Sequence, residues 1–243
     1  MKRSFLNLLI MIFFLFLPDF FLFCETITFS ADSMSGSSKK DSDSTILTGN
    51  ASIKTESMDI KADRIELYGK DFRHIKASGN VKGVNTKSKL DFTCSLMTYD
   101  RTTKIVVLRN TVHLIDTENS VTADAEQIEY NQDTEIAIMQ IAVTLVQKEN
   151  TCTAAYAIYH KKEQMLNMSG NPQVVQGDDT FRAQEIALNL DTQEITLDGR
   201  VQGTVSTEEK EKIEEKETSE KADGEENQEN QQKSSETQEE TTE

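Results

Sequence analysis

The sequence predicts an all-β domain of about six stacked antiparallel strand pairs, each roughly thirty residues long. Three observations predict it. A small residue recurs as Ala31, Ala62, Thr93, Ala125, Ala155 and Ala183, at intervals of 31, 31, 32, 30 and 28, and three residues after each stands an apolar side chain: Met34, Ile65, Leu96, Ile128, Ile158 and Ile186. Runs rich in β-branched residues, at 105–108, 111–115 and 136–146, are separated by short Asn, Asp, Gly and Ser clusters, the punctuation of strands. Proline is confined to Pro18 and Pro172, which suits long hydrogen-bonded ladders.

Residues 1–24 read as an export leader. Lys2 and Arg3 precede a stretch from Phe5 to Phe23 interrupted only by Asn7, Pro18 and Asp19, the pattern of a secretory signal. The apolar run is also long enough to span a bilayer, so an uncleaved anchor is the alternative. Asp19 argues for cleavage, because a carboxylate in hydrocarbon is costly. Cys24 raises lipoprotein processing as a third reading, against which stands the bulk of Phe23. Export places the body outside the cytoplasm, or anchored to a membrane if the leader stays attached.

The body, residues 25–207, is long enough for one domain. Its first polar stretch, residues 33–44, reads as a loop inserted between the first two units. After it, turn signals recur as Gly49-Asn50, Gly79-Asn80, Arg109-Asn110, Gly170-Asn171 and Gly199-Arg200, with a gap near Gln140. Gly and Asn tolerate positive φ, and Asp closes turns on its own backbone, as expected at Asp133-Thr134 and Asp191-Thr192. The segments 99–104 and 190–194 look like the same turn after the same strand. Residues 123–130 are helical by composition but strand by alignment with the other copies. Ala62-Asp63, at the centre of the unit spanning 47–81, reads as a corner where the strand bends.

Cys94 and Cys152 fall about two units apart, on the order of 10–20 Å if units stack at about 4.8 Å per strand. A disulfide needs alpha carbons within about 7 Å, so both are expected as free thiols. His74, His113 and His160 share no metal-ligand spacing with each other or with either cysteine, and no metal or cofactor is expected. No Ser, Cys or Thr is placed beside a His as an activated nucleophile, and no Gly-rich phosphate loop precedes a helix. Asp178-Asp179 and the Asp41/Asp43 pair read as solvated turns in an acidic chain. The chain is not read as an enzyme.

The net charge of −16 disfavours nucleic acid, which demands a basic footprint. Residues 208–243 hold 15 acidic and 5 basic side chains, net −10, with Ile213 as their one long aliphatic. Such a tail cannot bury enough apolar surface to fold alone. It reads as a disordered solubilising extension; the alternatives are a helical stretch at 208–221, from its Glu-Lys spacing, and a role in discouraging end-to-end assembly.

The recurrent Gly-Asn, apolar run, then apolar-x-Ala-Asp-x-aliphatic, stands here at 48–53 (TGNASI), 59–69 (DIKADRIELYG), 78–83 (SGNVKG), 121–131 (VTADAEQIEYN), 169–175 (SGNPQVV) and 181–191 (FRAQEIALNLD). This pattern resembles the OstA-like repeat of the LptA family of periplasmic lipopolysaccharide-transport proteins, over residues 27–205. The third copy departs from it at Asp91, Thr93 and Cys94, the fifth at Ala154-Ala155-Tyr156. The resemblance implies an open, slightly twisted β-jellyroll, or β-taco, whose apolar groove shields the acyl chains of lipopolysaccharide or a related glycolipid between inner and outer membranes. It implies partners that dock by β-edge pairing, namely other jellyroll components of the bridge and further copies end to end.

The expected groove lining is Ile53, Ile60, Ile65, Leu67, Val81, Leu96, Val112, Leu114, Val121, Ile128, Val143, Ile158, Phe181, Ile186 and Leu188. The absence of Trp and the medium-sized aliphatics at these positions favour a groove over a packed core, since aromatics dominate core burial. Two other readings stay open: a structural or adhesive β-repeat protein with a closed core, and a membrane-anchored component of the LptC type.

Overall fold

The chain folds, in this computed structural model, as one open antiparallel sheet. The structure describes residues 26–39 and 42–206; the leader, the tail and the expectations attached to them lie outside the described residues. The strands are β1 (Thr28–Ser30), β2 (Ser33–Lys39), β3 (Ser42–Lys54), β4 (Met58–Tyr68), β5 (His74–Asn85), β6 (Leu90–Asp100), β7 (Ile105–Asp116), β8 (Val121–Asn131), β9 (Ile136–Gln147), β10 (Asn150–His160), β11 (Met165–Ser169), β12 (Gln173–Gln176), β13 (Asp179–Arg182), β14 (Glu185–Asn189), β15 (Ile195–Asp198) and β16 (Gln202–Thr204). Among the described residues the one helical element is a single 3-10 turn, Lys70–Phe72. The segment 123–130 lies within strand β8, as alignment rather than composition requires.

Each strand from β3 to β10 pairs with the next in sequence, and each ladder slips near its middle. Between β4 and β5, for example, Arg64 pairs with Ser78 but Lys61 with Lys82. Gly79 and Asn80 are thereby set against Asp63, one residue more on β5 than on β4, which is a β-bulge. The doublets Gly49-Asn50, Gly79-Asn80, Asn110-Thr111, Ile141-Ala142, Gly170-Asn171 and Gly199-Arg200 all have positive φ, between 46° and 76°. They form a column of corners across the sheet. The doublet near residue 140 is therefore present, built from residues without turn chemistry, and the one near 110 is Asn110-Thr111 rather than Arg109-Asn110.

At both ends of the sheet the corner breaks the strand outright. β1 and β2 are two halves on either side of Ala31-Asp32, and both pair with β3. β11 and β12 likewise both pair with β10, interrupted at Gly170-Asn171-Pro172, where Pro172 offers no N–H to a ladder. β13 with β14, and β15 with β16, repeat the break. Eight continuous and four broken strands make twelve bent strands, the six pairs that the period implies. One correction is needed at the start: residues 33–39 are not a loop but strand β2, paired in register with β3 from Ser33↔Thr48 to Lys39↔Ser42.

Bending every strand at the same column folds the sheet onto itself, so that both halves turn their apolar face inward. In β4 Met58, Ile60 and Ala62 are buried before the corner and Ile65 and Leu67 after it. The hairpin turns then stack as two rims. Backbone bonds Thr86 N to Ser57 O (3.0 Å) and Thr117 N to Lys89 O (3.0 Å) link the first rim, at residues 55–57, 86–89, 117–120 and 148–149. Arg101 N to Arg73 O (2.9 Å), Gln132 N to Lys104 O (3.0 Å), Lys161 N to Glu135 O (3.1 Å) and Leu190 N to Gln164 O (2.8 Å) link the second. Asx residues close the turns: Asn85, Asp100, Asp116, Asn131 and Asn189 each accept the next two available backbone N–H groups on Oδ1. The turns after Tyr99-Asp100 and Leu188-Asn189 are thus of one kind, with Asn189 rather than Asp191 as the closing residue.

Candidate functional site

The space between the two sheet halves is the candidate site. It is filled by one continuous apolar cluster of buried side chains, from Leu47 to Leu190. Twelve of the fifteen expected lining residues stand in it: Ile53, Ile60, Ile65, Leu67, Val81, Val112, Leu114, Val121, Ile128, Val143, Ile186 and Leu188, none more than 3% exposed. Leu96, Ile158 and Phe181 do not join it and are half-buried.

Leu96 and Ile158 fall outside for one reason, a slip of one residue in the repeat. The small corner residue paired with the neighbouring strand is Ala62 opposite Ala51 in β4, and Ala125 opposite Val112 in β8. Its equivalents are Cys94, opposite Val81, and Ala154, opposite Val143, one residue after Thr93 and one before Ala155. Side chains alternate faces along a strand, so a slip of one moves the whole set. The inward residues are consequently Met97 and Ala157, both 0% exposed, with Leu96 and Ile158 on the outer face. Phe181 lies in the short strand β13, opposite buried Val174 and Gly203 near the open edge.

Aromatic residues are more prominent inside than the composition suggests. Phe92, Tyr99, Tyr130 and Tyr159 are all buried, and Phe92 lies over Gly83, where a Cβ would stand 2.0 Å from its ring. Tyr99, Tyr130 and Tyr159 occupy, one strand pair after another, the second-rim position held by Leu67 in β4 and Leu188 in β14. Cys94 and Cys152 are both free and buried; burial pushes their thiols up to about 11 and about 12.

The polar groups of the interior collect at the rims. Thr55, Ser57, Asn85, Ser88, Asp116, Gln147, Asn150 and Lys161 are buried there. Two of them, Asp116 and Lys161, are charged. The Lys161 ammonium lies 3.2 Å from Asp116 Oδ1 and also contacts Glu118 Oε2, with the Lys161 and Asp116 side chains 2% and 0% exposed. Burial opposes the charge on Lys161, but the bonds to Glu118 and Asp116 outweigh it and hold the group protonated. Tyr159 donates its hydroxyl to Asp116 Oδ2 at 2.9 Å, and burial, with the neighbouring Asp116 charge, raises its ionisation far above the ordinary phenol range. The composition gave no reason to single out these groups, although Asn85, Asp116 and Gln147 are spaced 31 residues apart.

At the end of the sheet where β1 lies there is a cavity of about 860 Å³. Ile27, Phe29, Leu67 and Phe72 supply its apolar wall, and Lys70, Asp71, Arg73 and Arg101 its charged border. The two arginines are held in place: Arg73 forks onto Asp100 (Nε–Oδ1 2.9 Å, Nη2–Oδ2 2.6 Å), which holds that carboxyl well below the usual range. Arg101 Nη1 donates to the carbonyls of Asp71 and Phe72 at 3.0 and 3.2 Å. The arrangement can accommodate a chain of apolar groups beside an anionic one.

His113 is hydrogen-bonded to Asp124 at 2.7 Å on the exposed outer face. Among the described residues no three His, Cys, Asp or Glu side chains converge as a metal site, and no helix is long and apolar enough to cross a membrane.

No curated protein matches the chain. Among solved structures, a similar chain is LptH, the LptA-homologous periplasmic component of the conserved lipopolysaccharide transport device from Pseudomonas aeruginosa. It shows 12% sequence identity and a TM-score of 0.22, and the alignment covers 75% of this chain and 96% of that one. The family model described as OstA-like protein matches residues 25–196, through the first half of β15, and the chain therefore belongs to the OstA-like protein family.

Proposed function

We propose that the chain is a periplasmic lipid carrier that shelters the acyl chains of lipopolysaccharide, or of an equivalent envelope glycolipid, between its two sheet halves. It would serve as one segment of a bridge between the inner and outer membranes. The observation that carries this reading is the continuity of the apolar interior along the stacked strands, ending in the cavity of about 860 Å³ beside Lys70, Arg73 and Arg101. That volume is within the range of ligand pockets, roughly 300–1,000 Å³. Each methylene taken from water into such a trough is stabilised by about 0.8 kcal/mol, so a lipid can pass along it without chemistry. Residues 25–207 form the carrier domain, with a leader before and an acidic tail after.

Photo-crosslinking decides this reading. A photoreactive residue at Ile65 or Ile128 is expected to form adducts with lipopolysaccharide, while one at exposed Lys82 does not. Absence of adducts from both inner positions would reject the carrier function.

A second reading has a specific observation behind it. Residues as far apart as Leu47, Ile128 and Leu188 are 0% exposed, which is what a structural repeat protein with a closed, dry core requires. Under that reading the protein purifies without lipid and none of the inner positions yields an adduct.

A further inference from the structure

The two rims are joined across the mouth of the fold at two junctions, one near the middle of the strand order and one toward the end remote from β1. Asp116 ends β7 on the first rim, and Lys161 follows β10 on the second; their side chains meet at 3.2 Å. Asn119 of the first rim also donates to the Lys161 carbonyl (3.2 Å) and to the Tyr159 hydroxyl (2.8 Å). Farther along, Gln193 of the second rim donates to Gln147 (3.4 Å) and accepts from Asn150 on the first. Both junctions join turns three strands apart in the sheet order, as a regularly coiled sheet would bring its margins together.

These junctions are costly contacts to keep closed. A buried ion pair is weak evidence for stability, because desolvation can exceed the attraction. An unsatisfied group lies at the second junction: Asn150 Oδ1 is buried without a hydrogen-bond partner, a state that opening to water would relieve. An apolar seam would have closed the same gap without either penalty. The polar seam also interrupts the mouth through which a chain moving from the β1 cavity toward β14 would keep its headgroup in water.

We infer that the Asp116–Lys161–Tyr159 cluster is a gate: it closes the far part of the trough when no cargo is present and parts to let an acyl chain move from the cavity beside Leu67 toward Leu188. The inference rests on the proposed carrier function for the identity of the cargo, but the opening itself is a property of the protein. Removing one partner alone would leave a buried charge uncompensated and endanger folding. The informative variant is D116N/K161M. It abolishes the ionic bridge yet keeps the turn, because Asn85, Asn131 and Asn189 close the corresponding turns through the same Oδ1 bonds.

The test uses the full chain with C24S, C94A and C152A, spin-labelled at S120C on the first rim and E163C on the second. D116N/K161M is expected to broaden the inter-label distance distribution and to lengthen it by about one strand spacing, roughly 5 Å. In parallel, photoreactive residues at Leu67 and Leu188 are exposed to lipopolysaccharide. The protein with the bridge intact is expected to label chiefly at Leu67, and D116N/K161M to gain adducts at Leu188 several-fold. An unchanged distance distribution, or an opened seam with an unchanged ratio of adducts at the two positions, overturns the gate. If neither position labels in either protein, the carrier reading fails, and the distance measurement alone still decides whether the bridge holds the rims together.

Discussion

Asn80 donates its Nδ2 to Asp63 Oδ2 at 2.9 Å across the β4–β5 corner, and Asn50 makes the same 2.9 Å bond to Asp32 one strand pair earlier. In each case the glycine before the asparagine lies directly over the carboxylate. A Cβ on Gly79 would stand 2.4 Å from Asp63 Oδ2 and 3.0 Å from its Cβ, and Gly49 has the same distances to Asp32. The Gly-Asn signature is therefore a two-part device: glycine supplies the close approach and positive φ, and asparagine ties the bulge to the neighbouring strand.

Gly79→Ala should destabilise the fold by about 1–3 kcal/mol, because it adds both left-handed strain and a steric clash. Asn80→Ala should cost less, about 0.5–1.5 kcal/mol for the lost hydrogen bond. Urea denaturation of the two variants beside the parent chain measures both. Equal stability of Gly79→Ala and the parent would contradict the corner geometry.

The corner at Ile141-Ala142 leads to the opposite expectation. Ile141 has φ 65° and is 62% exposed, so its side chain contributes little burial while its backbone is strained. A left-handed conformation costs a residue bearing a Cβ roughly 1–2 kcal/mol. Ile141→Gly should accordingly be neutral to stabilising by about 1 kcal/mol, a rise in melting temperature of about 2–4 °C for a domain of this size.

Truncations should separate the two faces of the sheet. Ile65→Ala and Ile128→Ala remove fully buried side chains and should each cost about 2–5 kcal/mol. Leu96→Ala and Ile158→Ala, on the outer face, should cost about 1 kcal/mol or less. Comparable losses at Leu96 and Met97 would show that the one-residue slip is misplaced.

Alkaline pH should weaken the fold. Cys94, Cys152 and Tyr130 ionise at about 11, about 12 and about 12 in the folded chain, raised mainly by burial. In the unfolded chain they ionise near about 8.5 for Cys and 10 for Tyr. Because the folded state holds these protons more tightly, their stabilising contribution is complete below about pH 8.5 and is lost as pH rises toward 11–12. The urea midpoint should fall between pH 8 and pH 10.5, and C94A/C152A should fall less. At pH 8 neither native thiol should react with a thiol reagent until urea unfolds the chain.

The sequence alone determined the all-β class, the six strand pairs, the corner at Ala62-Asp63 and most of the inner face. The physical reason is that each depends on a local, repeated choice. Strand alternation, a Gly-Asn pair and an Asx residue before a turn act through their immediate backbone, and a period of about thirty residues multiplies the signal.

Tertiary structure decided the rest, because those features require knowing which residues oppose one another. Thr93 and Ala155 fit the spacing as well as Cys94 and Ala154, and only the pairing with Val81 and Val143 fixes which of each pair is the corner. Residues 33–39 lack apolar alternation and become a strand because β3 offers an edge. Ile141-Ala142 turns left-handed without any turn residue because its neighbours in the column do. Asp116 and Lys161, 45 positions apart in the chain, meet only because the sheet is coiled enough to bring its two rims together.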